Sequence, residues 1–172
     1  MKNILILLGI VLMSSCSRSP VHSFIDDYNQ EDHTFSLTVP GWLVRAGSNA
    51  AFKEMADEED QIGLKALSQS LGEIRVMVAK EGVVPTKAVK DLIVTARDHK
   101  YIEYVTVREK SKLVNVMVKQ EDETVKNLLV LVSSDEEFVI AHIDSKLSIK
   151  ELEEAQISWN KEKNKEKTEV AN

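Results

Sequence analysis

The sequence predicts an α+β fold, with a single domain in which a mainly antiparallel sheet of about five to six strands has helices packed on one face. Two observations carry this prediction. Residues 86–98 hold an apolar stripe with helical spacing, and from Tyr101 onward the spacing changes to two, with short polar connections between successive strands. The composition agrees, because 172 residues that are 43% hydrophobic and 29% charged suit one globular domain.

The first 15 residues are interpreted as a secretory signal that lies outside the fold. Lys2 supplies a positive charge, and residues 4–13 are apolar but too short to span a bilayer. The run from Leu12 to Cys16 resembles a bacterial lipobox, in which the cysteine thiol takes a diacylglycerol and cleavage frees an amino group for a further acyl chain. The alternative is that Cys16 is an ordinary cysteine and that cleavage occurs elsewhere.

Lipidation at Cys16 would make the membrane a partner through an N-terminal lipid anchor. Residues 16–22 are predicted to form a flexible tether. Ser17 stands where an aspartate would resemble an inner-membrane retention signal, and no acidic run follows the cysteine. We therefore expect a protein of the cell envelope, held on the outer membrane and facing the periplasm.

The charge balance argues against a nucleic-acid partner. The chain has 22 basic and 28 acidic side chains, a net charge of −6, and loss of Lys2 with the signal leaves 21 against 28, a net charge of −7. This sign repels a phosphate backbone and favours solubility beside an anionic membrane. The single cysteine excludes an intrachain disulfide.

The folded domain is predicted to span residues 23–159, and its first half mixes helices with one strand. Ser23 and Asp26 indicate the start of a short helix, and residues 33–39 alternate as a half-buried strand does. One or two helical turns are expected within 42–55. A helix over 57–71, with acids at its start and Gly72 at its end, should follow.

A strand over 73–79 and a helix over 86–98 come next, and then a series of antiparallel strands. The capping box formed by Ser148 and Glu151 predicts a closing helix, whereas residues 160–172 have no apolar stripe and are expected to be a disordered charged tail. The four strands of the series are predicted at 102–108, 113–119, 125–132 and 138–143.

Candidate catalytic and metal-binding residues are few. Motifs for serine hydrolases, zinc proteases, nucleotide binding and EF-hand calcium binding are missing from the sequence. The four histidines have no i, i+4 pair, so we predict no metal site and no cofactor, although two of them could still meet in space; the four are His22, His33, His99 and His142. His142 is the strongest candidate, on a strand face shared with Phe138 and Ile140.

Two acidic runs are interpreted structurally. Residues 57–60 suit the first turn of a helix, with a calcium site as the alternative, and residues 121–123 suit an exposed hairpin turn. The strand over 125–132 is apolar on both faces, which an antiparallel sheet with one wet face should not be. Either the N-terminal helices cover the second face or that face binds a partner.

A family pattern is visible in Phe24 and Tyr28 of the opening helix and in four segments, at 71–78, 101–104, 128–140 and 147–152. In these features residues 24 to about 155 resemble the small bacterial lipoproteins grouped as domain of unknown function 4252. The sequence departs from the pattern at Asp144 and Ser145, where a glycine is expected. The resemblance implies an envelope lipoprotein and supplies no catalytic residue.

Two hypotheses for the function follow. The first is a lipid-anchored, non-enzymatic binding or interaction module that acts in envelope maintenance or signalling, with an envelope protein as a partner at the sheet face. The second is a periplasmic enzyme of the hydrolase type, with a site around His142 and acids such as Asp144. A concave pocket that holds His142, a carboxylate and a hydroxyl within hydrogen-bond reach would favour the enzyme.

Overall fold

A computed structural model describes residues 19–47, 68–109 and 111–154 of the chain. Its elements with defined bounds are two helices and six strands: α1 (Pro20–Tyr28), β1 (Thr34–Val39), β2 (Leu71–Lys80), α2 (Thr86–Asp98), β3 (Tyr101–Glu109), β4 (Lys112–Glu121), β5 (Thr124–Ser133) and β6 (Glu137–Ser148). The strands form one antiparallel sheet in the order β1-β2-β6-β5-β4-β3. The predicted α+β fold with a mainly antiparallel sheet is confirmed.

Helix α1 begins at Pro20, earlier than the Ser23 signal indicated and inside the segment 16–22 that was expected to be a tether. Proline at the first helical position has its φ angle preset and needs no hydrogen-bond partner for its nitrogen, so the helix starts there. Val21 is fully buried. The packed part of the chain therefore includes residues assigned to the tether from sequence.

Strand β2 replaces the end of the helix predicted over 57–71, because Leu71 and Gly72 already belong to the strand. A helical segment at 68–70 precedes it, and another at 41–47 follows β1. The rest of the helices predicted over 42–55 and 57–71 lies outside the described residues. The predicted tail, 160–172, and Cys16 also lie outside them.

Helices α1 and α2 cover one face of the sheet, as predicted. Helix α2 has the predicted bounds, and its stripe buries Leu92 and Ala96. The core beneath both helices is formed by buried side chains from each layer: Val21, Phe24 and Ile25 from α1, and Met77, Met117, Leu129, Phe138 and Ile140 from the strands. We call this the helix-covered face.

Strands β3 to β6 form a meander in which each strand pairs with the next. Strand β6 extends to Ser148, beyond its predicted end at residue 143. It continues through Asp144 and Ser145 because it remains paired with β5 across a bulge between Val125 and Asn127.

The closing helix is present at 149–154, and it lies on the opposite face of the sheet. Its capping box is confirmed: the Ser148 amide donates to Glu151 Oε2 at 2.7 Å, and the Glu151 amide donates to Ser148 Oγ at 3.2 Å. Ile149 and Leu152 pack against a second core cluster that contains Val118. Among the described residues no helix is both long and apolar enough to span a membrane.

Candidate functional site

A chain of three polar side chains lies at one end of the helix-covered face. His22 of α1 places its Nε2 atom 3.1 Å from Nδ1 of His142. The Tyr101 hydroxyl lies 2.9 Å from the other ring nitrogen of His142, Nε2. His142 is 3% exposed, so both of its nitrogens are satisfied inside the protein rather than by bulk water.

The strand register brings a polar row beside this chain. Tyr101 lies opposite Lys119, Lys119 opposite Asn127, and Asn127 opposite Asp144, in four adjacent strands. Directly opposed residues of neighbouring strands share a face of the sheet. The four side chains therefore form one wall of a pocket of about 190 Å³, which His22, His99 and the start of α1 also line.

The carboxylate of Asp144 is held by its neighbours. Asn127 Nδ2 donates to Asp144 Oδ1 at 2.8 Å. Gly72 packs closely against the same residue, because a Cβ atom at Gly72 would lie 2.9 Å from the Asp144 Cβ atom. The carboxylate stays 4.0 Å from His142 Nδ1, beyond direct hydrogen-bond distance.

The three hydrogen-bonded side chains, His22, His142 and Tyr101, carry no charge at neutral pH. The pKa of His142 is lowered to about 4, mainly by burial, with His22 and Arg75 acting in the same direction. Burial is also the main cause of the lowered pKa of His22. Burial raises the pKa of Tyr101 to about 12. Both imidazoles are therefore uncharged, and the phenol keeps its proton.

Two arrangements of the protons satisfy this chain. Tyr101 can donate to His142 Nε2 while His142 Nδ1 donates to His22, or His22 can donate to His142 Nδ1 while His142 Nε2 donates to Tyr101. In the second arrangement the tyrosine proton needs another acceptor. The hydroxyl of Ser19 lies near the phenol, where it opposes part of the rise in the tyrosine pKa, and it is buried without a partner at hydrogen-bond geometry.

The structure brings some of the predicted site residues together and separates others. His142 and Asp144 share the pocket, and His22 and His99 also line it. His33 lies in the turn before β1, with a positive φ of 68°. Of the acidic residues 121–123, predicted as a turn, Glu121 is the last residue of β4 and the other two form the turn before β5. Residues 57–60 lie outside the described residues. Sequence reasoning missed Tyr101 and Asn127 because nothing in their local pattern marks a site.

The opposite face of the sheet is a second candidate surface. Eighteen apolar side chains lie on it in three rows, each crossing all six strands, and we call it the valine face. The rows are Phe35, Val78, Val139, Val132, Val114 and Val107; then Leu37, Val76, Ala141, Val130, Val116 and Val105; then Val39, Ile74, Ile143, Leu128, Val118 and Ile102.

Exposure on the valine face is greatest at its two edges. Phe35 and Leu37 on β1 are 63% and 50% exposed, and Ile102 on β3 is 54% exposed. Ile149 and Leu152 of segment 149–154 pack against the cluster that contains Val118 and Leu128 of the third row. Helix α1 packs on the helix-covered face. It therefore does not cover the valine face, as the sequence had suggested an N-terminal helix would.

Comparison with known proteins identifies a family and no individual relative. A family model described as a domain of unknown function, DUF4252, matches residues 28–155, which is most of the chain. No curated protein and no solved structure matches it. The match spans every strand of the sheet. It also includes all the residues that line the pocket except Ser19, Pro20 and His22, which precede residue 28. The chain belongs to the DUF4252 family.

Proposed function

We propose that this protein is a lipid-anchored lipoprotein of the cell envelope that acts as a non-enzymatic binding module for another envelope protein. The anchor is Cys16, at the end of a signal stretch whose last residues resemble a lipobox. The proposed site of attachment is the outer membrane, with the domain facing the periplasm. Since Pro20 already begins α1, at most a few residues separate the acylated cysteine from the folded domain.

The observation that carries the proposal is the valine face. An antiparallel sheet with one face in water normally alternates apolar and polar side chains, so three unbroken apolar rows need a cover. Soluble monomers rarely leave a large contiguous apolar patch in water, and such patches mark interaction surfaces. The exposed edge at Phe35 and Leu37 is the part of this face that a partner would contact first.

Strand β1 strengthens this argument because it is an edge strand. Among the described strands it pairs with β2 alone, and it has six residues. Edge strands are usually protected by charged residues, proline or a covering segment. The side chains of β1 that point to the valine face are Phe35, Leu37 and Val39, which carry no charge.

Photocrosslinking in intact cells tests this proposal. A photoreactive amino acid at Leu37 should give a discrete adduct with one envelope protein. The control position is Val94, which is 54% exposed on α2, on the other side of the sheet. Adducts of the same kind from both positions, or none from Leu37, would contradict a partner surface on the valine face.

A second candidate function is a hydrolase with a site around His142 and Asp144. The observation that favours it is the pocket, in which the Tyr101 hydroxyl lies within reach of His142. Three features weigh against it: the carboxylate is 4.0 Å from the imidazole, the pKa of the phenol is raised to about 12, and the pKa of His142 is lowered to about 4. A general base works best with a pKa near the working pH.

Ester and amide model substrates separate the two functions. Turnover that disappears in Tyr101→Phe while the variant remains folded would support the hydrolase. We expect no turnover above that of buffer without the protein, because the imidazole in the pocket is a weak base and both of its nitrogens are already bonded.

A further inference from the structure

The structure brings together two histidines that belong to distant parts of the chain. Nε2 of His22 and Nδ1 of His142 face each other at 3.1 Å on the wall of an open pocket. A Zn²⁺ ion bound by two imidazoles at 2.0–2.1 Å needs a nitrogen separation of about 3.3 Å at the tetrahedral angle. The observed separation is about 0.2 Å shorter, and a small rotation of either ring would make up this difference.

We propose that His22 and His142 form a binding site for a transition-metal dication of the zinc, nickel or copper class. Imidazole nitrogens favour these ions, whereas Ca²⁺ and Mg²⁺ favour oxygen ligands. Within the described ranges no group of three His, Cys, Asp or Glu side chains is arranged to hold a metal. The site is therefore a two-imidazole site, and water or a ligand in the pocket supplies the remaining positions.

The surroundings of the pair resemble the outer shell of a metal site. A ligating histidine usually bonds through its other nitrogen to a fixed partner, and the Tyr101 hydroxyl holds that place for His142 at 2.9 Å. The carboxylate of Asp144, fixed by Asn127, lies 4.0 Å from the ligating nitrogen. At this distance it can accept a hydrogen bond from a water molecule bound to the metal.

The protons can rearrange without being released. The proton between the two histidines must leave that position when a metal takes its place. For His142 it moves from Nδ1 to Nε2, which then donates to the Tyr101 oxygen. The tyrosine proton in turn needs a new acceptor, and the unpartnered hydroxyl of Ser19 lies beside the phenol. Both ring nitrogens that face each other are then free of protons and can bind the metal.

The formal charges around the pair are slightly negative. Three acids act on the histidines, Asp144, Glu73 and Asp26, against two bases, Arg75 and Lys119. Arg75 forms an ion pair with Glu73 at 2.8 Å. A dication at this site is therefore not repelled by a net positive charge. Its affinity depends on the two imidazole nitrogens of His22 and His142.

Calorimetric titration of the full chain with Zn²⁺ tests this site. All samples carry Cys16→Ser, which removes the thiol as a competing ligand. We expect one saturable Zn²⁺ per chain, binding at least about tenfold more weakly in His22→Ala, in line with the loss expected for a group at a metal site. His33→Ala, in the turn before β1 and outside the pocket, is the matched control and should leave the affinity unchanged.

Histidine ¹⁵N resonances of the parent chain give a second readout that does not depend on a variant folding. Zn²⁺ should shift the signals of His22 and His142 and leave those of His33 and His99 in place. The proposal is overturned if the parent shows no saturable binding, if His22→Ala binds as tightly as the parent, or if Zn²⁺ shifts His33 or His99 instead. This experiment is independent of the lipid anchor and of the valine face.

Discussion

His22 and His142 are 120 positions apart in the sequence, and their ring nitrogens lie 3.1 Å apart in the fold. One histidine belongs to the helix nearest the proposed lipid anchor, and the other to a strand in the centre of the sheet. Their contact joins α1 to β6 at the pocket. A change in either imidazole should therefore be measurable as a change in the stability of the whole domain.

Removal of the Tyr101 hydroxyl should destabilise the domain. In Tyr101→Phe, His142 Nε2 loses its partner at 2.9 Å and remains buried. An unsatisfied buried polar group costs about 1–3 kcal/mol, and we expect the free energy of unfolding in urea to fall by this amount. Tyr28→Phe is the control, with an expected change of less than about 0.5 kcal/mol. Equal effects of the two substitutions would contradict the role of the hydroxyl.

Stability should fall as the pH is lowered from 6.5 towards 4. The pKa of His142 is about 4 in the fold and 6.5 when unfolded, so the unfolded chain takes up a proton first. The stabilisation is complete above pH 6.5 and is lost progressively down to about 4, with a total of roughly 3 kcal/mol. His22, whose pKa is also lowered, acts with the same sign.

Urea unfolding at pH 7.5, 6 and 5 measures this dependence. The slope of the unfolding free energy against pH is compared with that of His142→Asn. In this variant the contribution of His142 to the slope should be missing. His99→Ala should keep the slope of the parent. A parent slope no steeper than that of His142→Asn would contradict the neutral, buried state of this histidine.

Gly72 should tolerate no side chain. A Cβ atom there would lie 2.9 Å from the Asp144 Cβ atom, so Gly72→Ala must displace Asp144 and strain its hydrogen bond with Asn127. Overpacking of this kind costs about 1–3 kcal/mol. The control is Gly47→Ala, because a Cβ atom at Gly47 meets no atom within 4 Å. We expect thermal unfolding at a clearly lower temperature for Gly72→Ala only, and similar midpoints for both variants would contradict the close approach.

The valine face should bind a hydrophobic dye in the native state. Fluorescence titration of the folded chain should show binding that falls in Leu37→Ser and is unchanged in Val94→Ser, since these two side chains are about equally exposed, at 50% and 54%, on opposite sides of the sheet. Absence of dye binding to the native chain would mean that a segment of the chain itself already covers this face.

The sequence predicted the elements whose pattern is local. The stripe of α2 and the alternation of β2 are each complete within one element, so periodicity was sufficient. The capping box at Ser148 was equally predictable, since both of its partners lie within four residues. The start of α1 predicted from the signal at Ser23 is three residues too late, because Pro20 already begins the helix.

The site could be predicted only in part, because its geometry depends on contacts between distant strands. His142 and Asp144 could be named as candidates from one short segment. Their neighbours Tyr101 and Asn127 come from other strands, and register alone places them in the same row. The bulge between Val125 and Asn127 sets that register, and no residue in the sequence marks it. The same limit applies to the valine face, which appears only when all six strands are aligned.

We propose that this member of the DUF4252 family is held on the envelope membrane through Cys16. Mass spectrometry of the N-terminal peptide of the protein purified from cell membranes tests this anchor. Anchoring through Cys16 predicts a chain that begins at Cys16 and carries the added mass of a diacylglycerol and a further acyl chain, and no such peptide from Cys16→Ala. An unmodified cysteine, or a mature N-terminus at another residue, would contradict it.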